Sequence, residues 1–478
     1  MSFSEIFLMR NELLLVTAVL VILIADLSFD ADKRKQFYYF SIFLVFIVTV
    51  SGLFPAKSGL LFGGMYQTGP LQAMMKNILN ISTLIILLQS WGWFSHVNQQ
   101  KRIGEFMILL LSTLIGMGYM ISSGHFLMFY LGLELATIPL AALAAYDYYN
   151  SKSAEAGIKL ILLAAFSSGI ILFGISLIYA ITGTMYFEGA GQLIDGSTLS
   201  VLGLVLIFTG LSFKISLVPF HLWAADVYEG SPIALTSYLS VVSKGSAVFI
   251  LLIVLNTVFA SLNDIWDPLI YIIIIITITV GNLFAIRQRN IKRFLAFSSI
   301  AQAGFIMLGV INNSAFGVAT VVYFMLVYMF SNLAAFGVVS AISAETGKES
   351  IDDYKGFYGT NPKLSLVMML AMFSLAGIPP IAGFFGKFFL FTAAAEKGYY
   401  ILVLIAVLNT IISLYYYLLI IKTMFIEKSD TPIPFFKSNL PMKISLVICV
   451  LGMVITGFTS GVFDYMVEMS DQLFSDMY

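Results

Sequence analysis

The sequence predicts an all-α polytopic membrane protein of about fourteen transmembrane helices, with two inverted five-helix repeats and broken seventh and twelfth helices. Three observations predict it. Of the 478 residues, 59% are hydrophobic and 11% charged, which excludes an ordinary soluble enzyme of this length. The apolar residues fall in runs of roughly 20, the length that crosses a bilayer. Basic residues sort by loop, with most of them on one side of the resulting topology.

The candidate segments lie within 11–28, 37–54, 75–94, 104–122, 124–145, 157–181, 200–220, 231–258, 268–286, 294–312, 316–343, 364–392, 398–424 and 441–463, bounded by polar loops and by Gly/Pro punctuation. In the first, the apolar run from Leu13 to Ala25 is preceded by Glu5, Arg10 and Glu12 and followed by Lys33, Arg34 and Lys35. That order is the reverse of a secretory signal, so the helix stays in the membrane with its start outside. Loops and helix ends after odd-numbered segments carry seventeen cations, from Lys33 to Lys443, whereas the other side receives Arg10, Lys57, Lys76 and Lys397. This asymmetry puts both termini outside the cytoplasm.

Several chemistries are excluded. A formal net charge of -1 with scattered cations gives no nucleic-acid surface. One cysteine cannot form an internal disulfide or a four-cysteine cluster. His96, His125 and His221 lie far apart, and neither HExxH, CxxCH nor a dinucleotide fingerprint occurs. No cofactor is expected on this chain.

Four cations fall inside apolar segments: Lys159, Lys214, Lys244 and Lys387. An ammonium at membrane depth faces a protein partner or water, which makes it a candidate ion-pathway group. Lys159 lies only a turn inside its segment, where snorkelling to the interface is an equal alternative. Lys244, in SYLSVVSKGSAVF, has about three helical turns on either side. Lys214 precedes Pro219 in GLSFKISLVPFHLW, and Lys387 follows Pro379 and Pro380 in FSLAGIPPIAGFFGKFF. Each proline removes a backbone donor, so both helices break or kink. Irregular backbone at that depth persists only where protein or a water-filled cavity satisfies it. The acidic partner is Glu134 in HFLMFYLGLELATIPLAAL, for which a structural hydrogen bond is the alternative.

Counting from the fourth segment, the broken helix is fourth in each of two consecutive five-helix units. An odd number of helices inverts the second unit. The chain is accordingly divided into 1–103, a three-helix N-terminal segment; 104–258 and 259–424, the two repeats; and 425–478, the last helix and tail. Ser298, Ser299 and Gln302 line a route between repeats or bond helix to helix. Asp226 and Glu229 read as solvated, and His221 lies near the mouth they form. Gly203, Gly210, Gly245 and Gly304 read as close-approach positions.

These contexts resemble the antiporter-like membrane subunits of respiratory complex I. The resemblance covers essentially the whole chain, with FYLGLELATIPLAAL, FKISLVPFHLWAADVYEGSP, RQRNIKRFLAFSSIAQAGF and SLAGIPPIAGFFGKFF as its strongest stretches. It implies that Glu134 and Lys214 form a coupled pair, that Lys244 is the central group, that Lys387 is the terminal group and that Lys159 tunes the pair. Lysine at 387, where the M branch usually has glutamate, and an end soon after the helical core, where the L branch continues, favour the N branch. The implied activity is proton translocation within an NADH:quinone oxidoreductase. NADH, FMN, iron–sulfur clusters and quinone would be held by other subunits. The implied partners are other membrane-arm subunits, especially small ones and antiporter-like subunit M, together with the lipid bilayer. The alternatives are a subunit of a cation/proton antiporter and a mainly structural scaffold.

Overall fold

The structure is a computed structural model that describes residues 3–95 and 100–475. His96 lies outside the described residues. Among those described, twelve helices are long and apolar enough to cross a membrane. Two further expected segments fall short of that measure for readable reasons. Arg34–Ser51 is an 18-residue helix, but its first turn is Arg34, Lys35 and Gln36. The segment expected within 364–392 is split into Pro362–Ala376 and Ala382–Glu396, of 15 residues each. At 1.5 Å per residue, neither half reaches across a hydrocarbon core.

Contacts divide the chain into two units, the first comprising Met1–Leu84, Val97–Ser216 and Val242–Leu269, the second Ile85–His96, Leu217–Val241 and Ile270–Tyr478. The chain thus leaves the first unit just after Lys214 and returns to it just before Lys244.

In the first unit, Ile103–Ile121 and Phe126–Ala144 form the tightest pair. A Cβ on Gly116 would lie 2.5 Å from the Ala136 backbone nitrogen, and one on Gly132 would lie 2.8 Å from the Gly116 carbonyl. Glycine is therefore what lets the two backbones touch. His125 caps the second helix, its Nδ1 accepting from the Leu127 N–H at 3.1 Å. A short antiparallel hairpin, Gly59–Leu61 with Tyr66–Thr68, abuts this turn through Gln67 N–H to the Ser122 carbonyl at 2.8 Å. Ser151–Thr182 packs on Thr198–Ile215, where Gly203 and Gly210 face Ile178 and Ile171 as their small size predicts.

In the second unit, Ile291–Val310 and Ala315–Thr346 are almost wholly covered, with 94% and 89% of their most apolar stretches buried. Tyr400–Phe425, at 33%, presents most of its surface outward and is built largely of Ile, Leu and Tyr. A helix the sequence reading did not anticipate, Ser460–Ser475, packs on Ala315–Thr346. Among its described side chains, Phe463, Met466, Met469 and Ser470 are buried, at helical spacing, and Asp464, Glu468 and Asp471 alternate with them.

The crossing at Gly116 generates the first prediction. Gly116→Ala destabilises the folded chain by about 1–3 kcal/mol through overpacking, read as a lowered Tm in detergent. Gly169→Ala, where nothing lies within 4 Å of the new Cβ, leaves it unchanged. Equal behaviour of the two variants would show that the close crossing contributes nothing.

Candidate functional site

Lys214 is in the last turn of Thr198–Ile215, which ends where Ser216 turns left-handed at φ 66°. Its Nζ donates to Thr137 Oγ1 and, at 3.3 Å, to the Leu133 carbonyl. Thr137 Oγ1 donates in turn to the same carbonyl. Glu134 lies between these two partners on Phe126–Ala144, half-buried, accepts a hydrogen bond from Tyr130, and attracts the ammonium through space. The helix supplies Tyr130, Glu134 and Thr137 to one side because residues three and four apart share a face. Glu134 and Lys214 therefore share one neighbourhood, and Thr137, which sequence reasoning missed, holds the ammonium there.

Lys244 is 1% exposed and opens the α-helical stretch Lys244–Thr257 directly after a π-helical turn, Leu239–Ser243. Such turns widen the hydrogen-bond ring by one residue and recur at functional sites. Nothing in SYLSVVSKGS announces this one. Lys159 is placed differently: its side chain is 38% exposed, and its ammonium pairs with Glu155 at 2.6 Å, one turn back on the outward face of Ser151–Thr182.

In the second unit, Lys387 is buried beside the helix break. Pro362–Ala376 stops at Gly377, with φ 86°, and Ala382–Glu396 starts after Pro379 and Pro380. A helix end leaves carbonyls without intrahelical donors. Gly377 N–H and Ile378 N–H return to the Phe373 carbonyl, each at 3.0 Å. Gln302 donates to the Leu375 carbonyl at 2.9 Å and Lys387 to the Ala376 carbonyl at 3.1 Å. Lys387 Nζ also lies over the Phe305 ring, 4.7 Å from its centre. The cation thus occupies the negative end of the half-helix, where it is favoured, and rests on a ring face that attracts it.

Gln302 and Ser298 both meet the Tyr417 hydroxyl, at 3.1 and 2.5 Å. Ser240 bonds the Tyr328 hydroxyl at 2.9 Å, and Asn332 donates to the same oxygen at 2.9 Å. Ser298 and Gln302 therefore join helix to helix inside the second unit, and Ser299 turns back to its own Ala296 carbonyl at 2.8 Å.

Four expectations change. Asp226 and Glu229 are not simply solvated: Arg293 holds both, at 2.7 and 3.0 Å. His221 is buried, 6% exposed, at the break itself. Lys76, counted among the outer loop cations, is 3% exposed and pairs at 2.5 Å with Glu12, itself 1% exposed. Lys292, counted among the cations of loops and helix ends, is also buried and pairs with Glu349 at 3.0 Å. The positions of Glu12 and Lys76, each just inside an apolar segment on the same side, are the signal that could have revealed that pair. Among the described residues, no group of three His, Cys, Asp or Glu side chains could hold a metal ion.

The family described as "NADH:quinone oxidoreductase/Mrp antiporter, TM" matches residues 123–413, a span containing Glu134, Lys159, Lys214, Lys244 and Lys387. NADH-quinone oxidoreductase subunit N of Phocaeicola vulgatus is 51% identical over 464 residues, covering 97% of this chain and 98% of that protein. The chain belongs to the subunit N family of NADH-quinone oxidoreductases. Membership makes it a membrane subunit of that enzyme complex. A chain of respiratory complex I from Thermus thermophilus superposes with TM-score 0.80 at 26% identity, over 94% of this chain and 97% of that one. A chain of the Mrp complex from Dietzia sp. superposes with TM-score 0.85 at 19% identity, over 100% of this chain and 98% of that one, a likeness of fold.

The Thr137 contact yields a prediction within this family. Thr137→Val deprives Lys214 of its hydroxyl acceptor and costs about 1–3 kcal/mol of folded stability, seen as a lower Tm of the purified chain. Thr137→Ser retains the acceptor and stays near wild type. Identical Tm values for the two variants would remove Thr137 from the site.

Proposed function

We propose that this subunit N family member translocates protons, coupled to NADH-to-quinone electron transfer in other subunits of the complex. The observation that carries the reading is that Lys214, Lys244 and Lys387 are each set at an irregularity of their helix: the left-handed end at Ser216, the π turn before Lys244 and the break at Gly377. Irregular backbone beside ionisable groups at membrane depth is how transporters build ion sites.

In this reading, fourteen segments cross the bilayer, with Arg34–Ser51 and the broken pair Pro362–Ala376 and Ala382–Glu396 completing the twelve. Residues 104–258 and 259–424 form the inverted repeats, residues 1–103 and 425–478 flank them, and both termini face the periplasm of a bacterial inner membrane. Other membrane-arm subunits, including small ones and subunit M, cover part of its outward surface, and the lipid bilayer covers the rest.

Glu134 and Lys214 act as a latch. With the ammonium on Thr137 and Leu133, attraction to Glu134 is satisfied locally, and Lys244 holds its proton. When Lys214 withdraws toward Lys244, like-charge repulsion favours proton release from Lys244. Lys387 is the terminal group, and Lys159, paired with Glu155 at the surface, tunes the latch from the partner-facing side. Moving one charge across the membrane involves about 2.3 kcal/mol per 100 mV, so conformational energy from other subunits drives the cycle.

The test is NADH-driven, quinone-dependent proton pumping in sealed vesicles at matched complex content. Lys244→Ala assembles but loses most pumping. Lys244→Arg assembles and also pumps poorly, because a guanidinium does not release its proton. Normal pumping by Lys244→Ala would overturn the central-carrier role. In the same vesicles Glu134→Gln reduces pumping, since the latch loses its anion; an unchanged rate would remove Glu134 from it.

A further inference from the structure

A cavity of about 360 Å³ opens in the first unit between the start of the first span, the loop after Arg34–Ser51 and the start of Pro70–Phe94. Its size is that of a small-molecule site. The floor is the buried cluster of Glu12, Lys76 and Tyr66. Lys76 pairs with Glu12 at 2.5 Å, the Tyr66 hydroxyl donates to Glu12 at 2.8 Å, and Lys76 donates to the Tyr66 oxygen at 3.0 Å. That pair is neutral as a whole, so the floor adds no net charge.

The other charged side chains lining the cavity are Arg10 and Lys57, both cations. Arg10 donates one N–H to the Phe54 carbonyl at 2.8 Å, which anchors the guanidinium at the wall. A guanidinium has five donors, so its fork can bind an oxyanion while keeping that anchor. Lys57 is exposed. Beside the cavity, Phe7, Leu53 and Phe54 are 68%, 70% and 61% exposed. An apolar fringe around a doubly positive hollow at the ends of spanning helices matches a molecule with acyl chains and an anionic head. A free phosphate has no use for the fringe.

We propose that this cavity binds the headgroup of an anionic phospholipid, with Arg10 and Lys57 on the phosphate and Phe7, Leu53 and Phe54 against the acyl chains. The net positive charge disfavours a zwitterionic choline head, whose ammonium it repels. The inference rests only on the membrane character of the chain, so it stands or falls separately from proton translocation.

The test uses the assembled complex in nanodiscs containing a trace of phosphatidylglycerol with a photoreactive headgroup, or the matched phosphatidylcholine probe. Adducts are mapped to residues 7–12 and 51–57 by mass spectrometry. The phosphatidylglycerol probe labels these segments severalfold more than the phosphatidylcholine probe, and excess inorganic phosphate does not displace it. Lys57→Gln, at an exposed position that leaves folding intact, lowers labelling about fivefold, the effect of one interfacial cation. Adding Arg10→Gln lowers it further. Equal labelling by both probes, complete displacement by inorganic phosphate, or unchanged labelling in Lys57→Gln would overturn the proposal. So would labelling absent from both segments with a neighbouring subunit crosslinked there instead, because the surface would then be a protein interface.

Discussion

Backbone that leaves the helical path inside a bilayer must still find hydrogen-bond partners, and the rest of this structure is arranged around that constraint. At the break after Ala376 the orphaned carbonyls are met by Gln302 and Lys387. At the earlier break, the Val218 N–H finds Thr277 Oγ1 at 3.1 Å. Each break therefore demands polar side chains at depth, and an ammonium is a suitable donor beside exposed helix carbonyls. The cation's burial and the helix's irregularity stabilise one another. An unbroken apolar helix would offer Lys387 no acceptor at its own level.

The same constraint has a kinetic consequence. Lys387 is held by one carbonyl and one ring face, and Lys214 by one hydroxyl, one carbonyl and the field of Glu134. These are exchangeable contacts, unlike the direct ion pairs of Lys76 with Glu12 and of Lys292 with Glu349, at 2.5 and 3.0 Å. Breaking a buried direct pair is strongly destabilising. Lys76 and Lys292 are thus held by carboxylates, which tie elements together, whereas Lys387 meets a carbonyl and a ring, and Lys214 meets neutral oxygens beside Glu134; in the proposed function the latter two are the ones that move or give up a proton. In the second unit, the Tyr328 and Tyr417 hydroxyls gather Ser240, Asn332, Ser298 and Gln302 into buried networks whose members strengthen one another.

Much of this was legible because its signals are local. Proline beside lysine in an apolar run marks a break with a cation, and GLELATIP marks a carboxylate in a helix. Close-approach glycines at 203 and 210 were readable for the same reason. What could not be read depends on neighbours distant in sequence. Thr137 is one threonine among many until Lys214 arrives from a helix about 80 positions away. Lys76 looked like a loop cation because its carboxylate is 64 positions earlier. Asp226 and Glu229 looked solvated because Arg293 comes from another helix. The π turn before Lys244 carries no compositional mark, the hairpin at Gly59–Leu61 is marked only by Gly63 and Gly64 between very short strands, and Ser460–Ser475 was hidden by its acidic residues, which lower its apolar content while leaving its periodic face intact.

The account holds that Lys387 both satisfies a broken helix and carries a proton, and these roles separate under Lys387→Arg. Arginine keeps the positive charge and can donate to the Ala376 carbonyl, but it does not deprotonate in proteins. The decisive measurement is the number of protons pumped per NADH oxidised by the assembled Lys387→Arg complex in sealed vesicles. The account predicts normal assembly with a reduced ratio. A wild-type ratio would mean that Lys387 only caps the half-helix and that no proton passes through it.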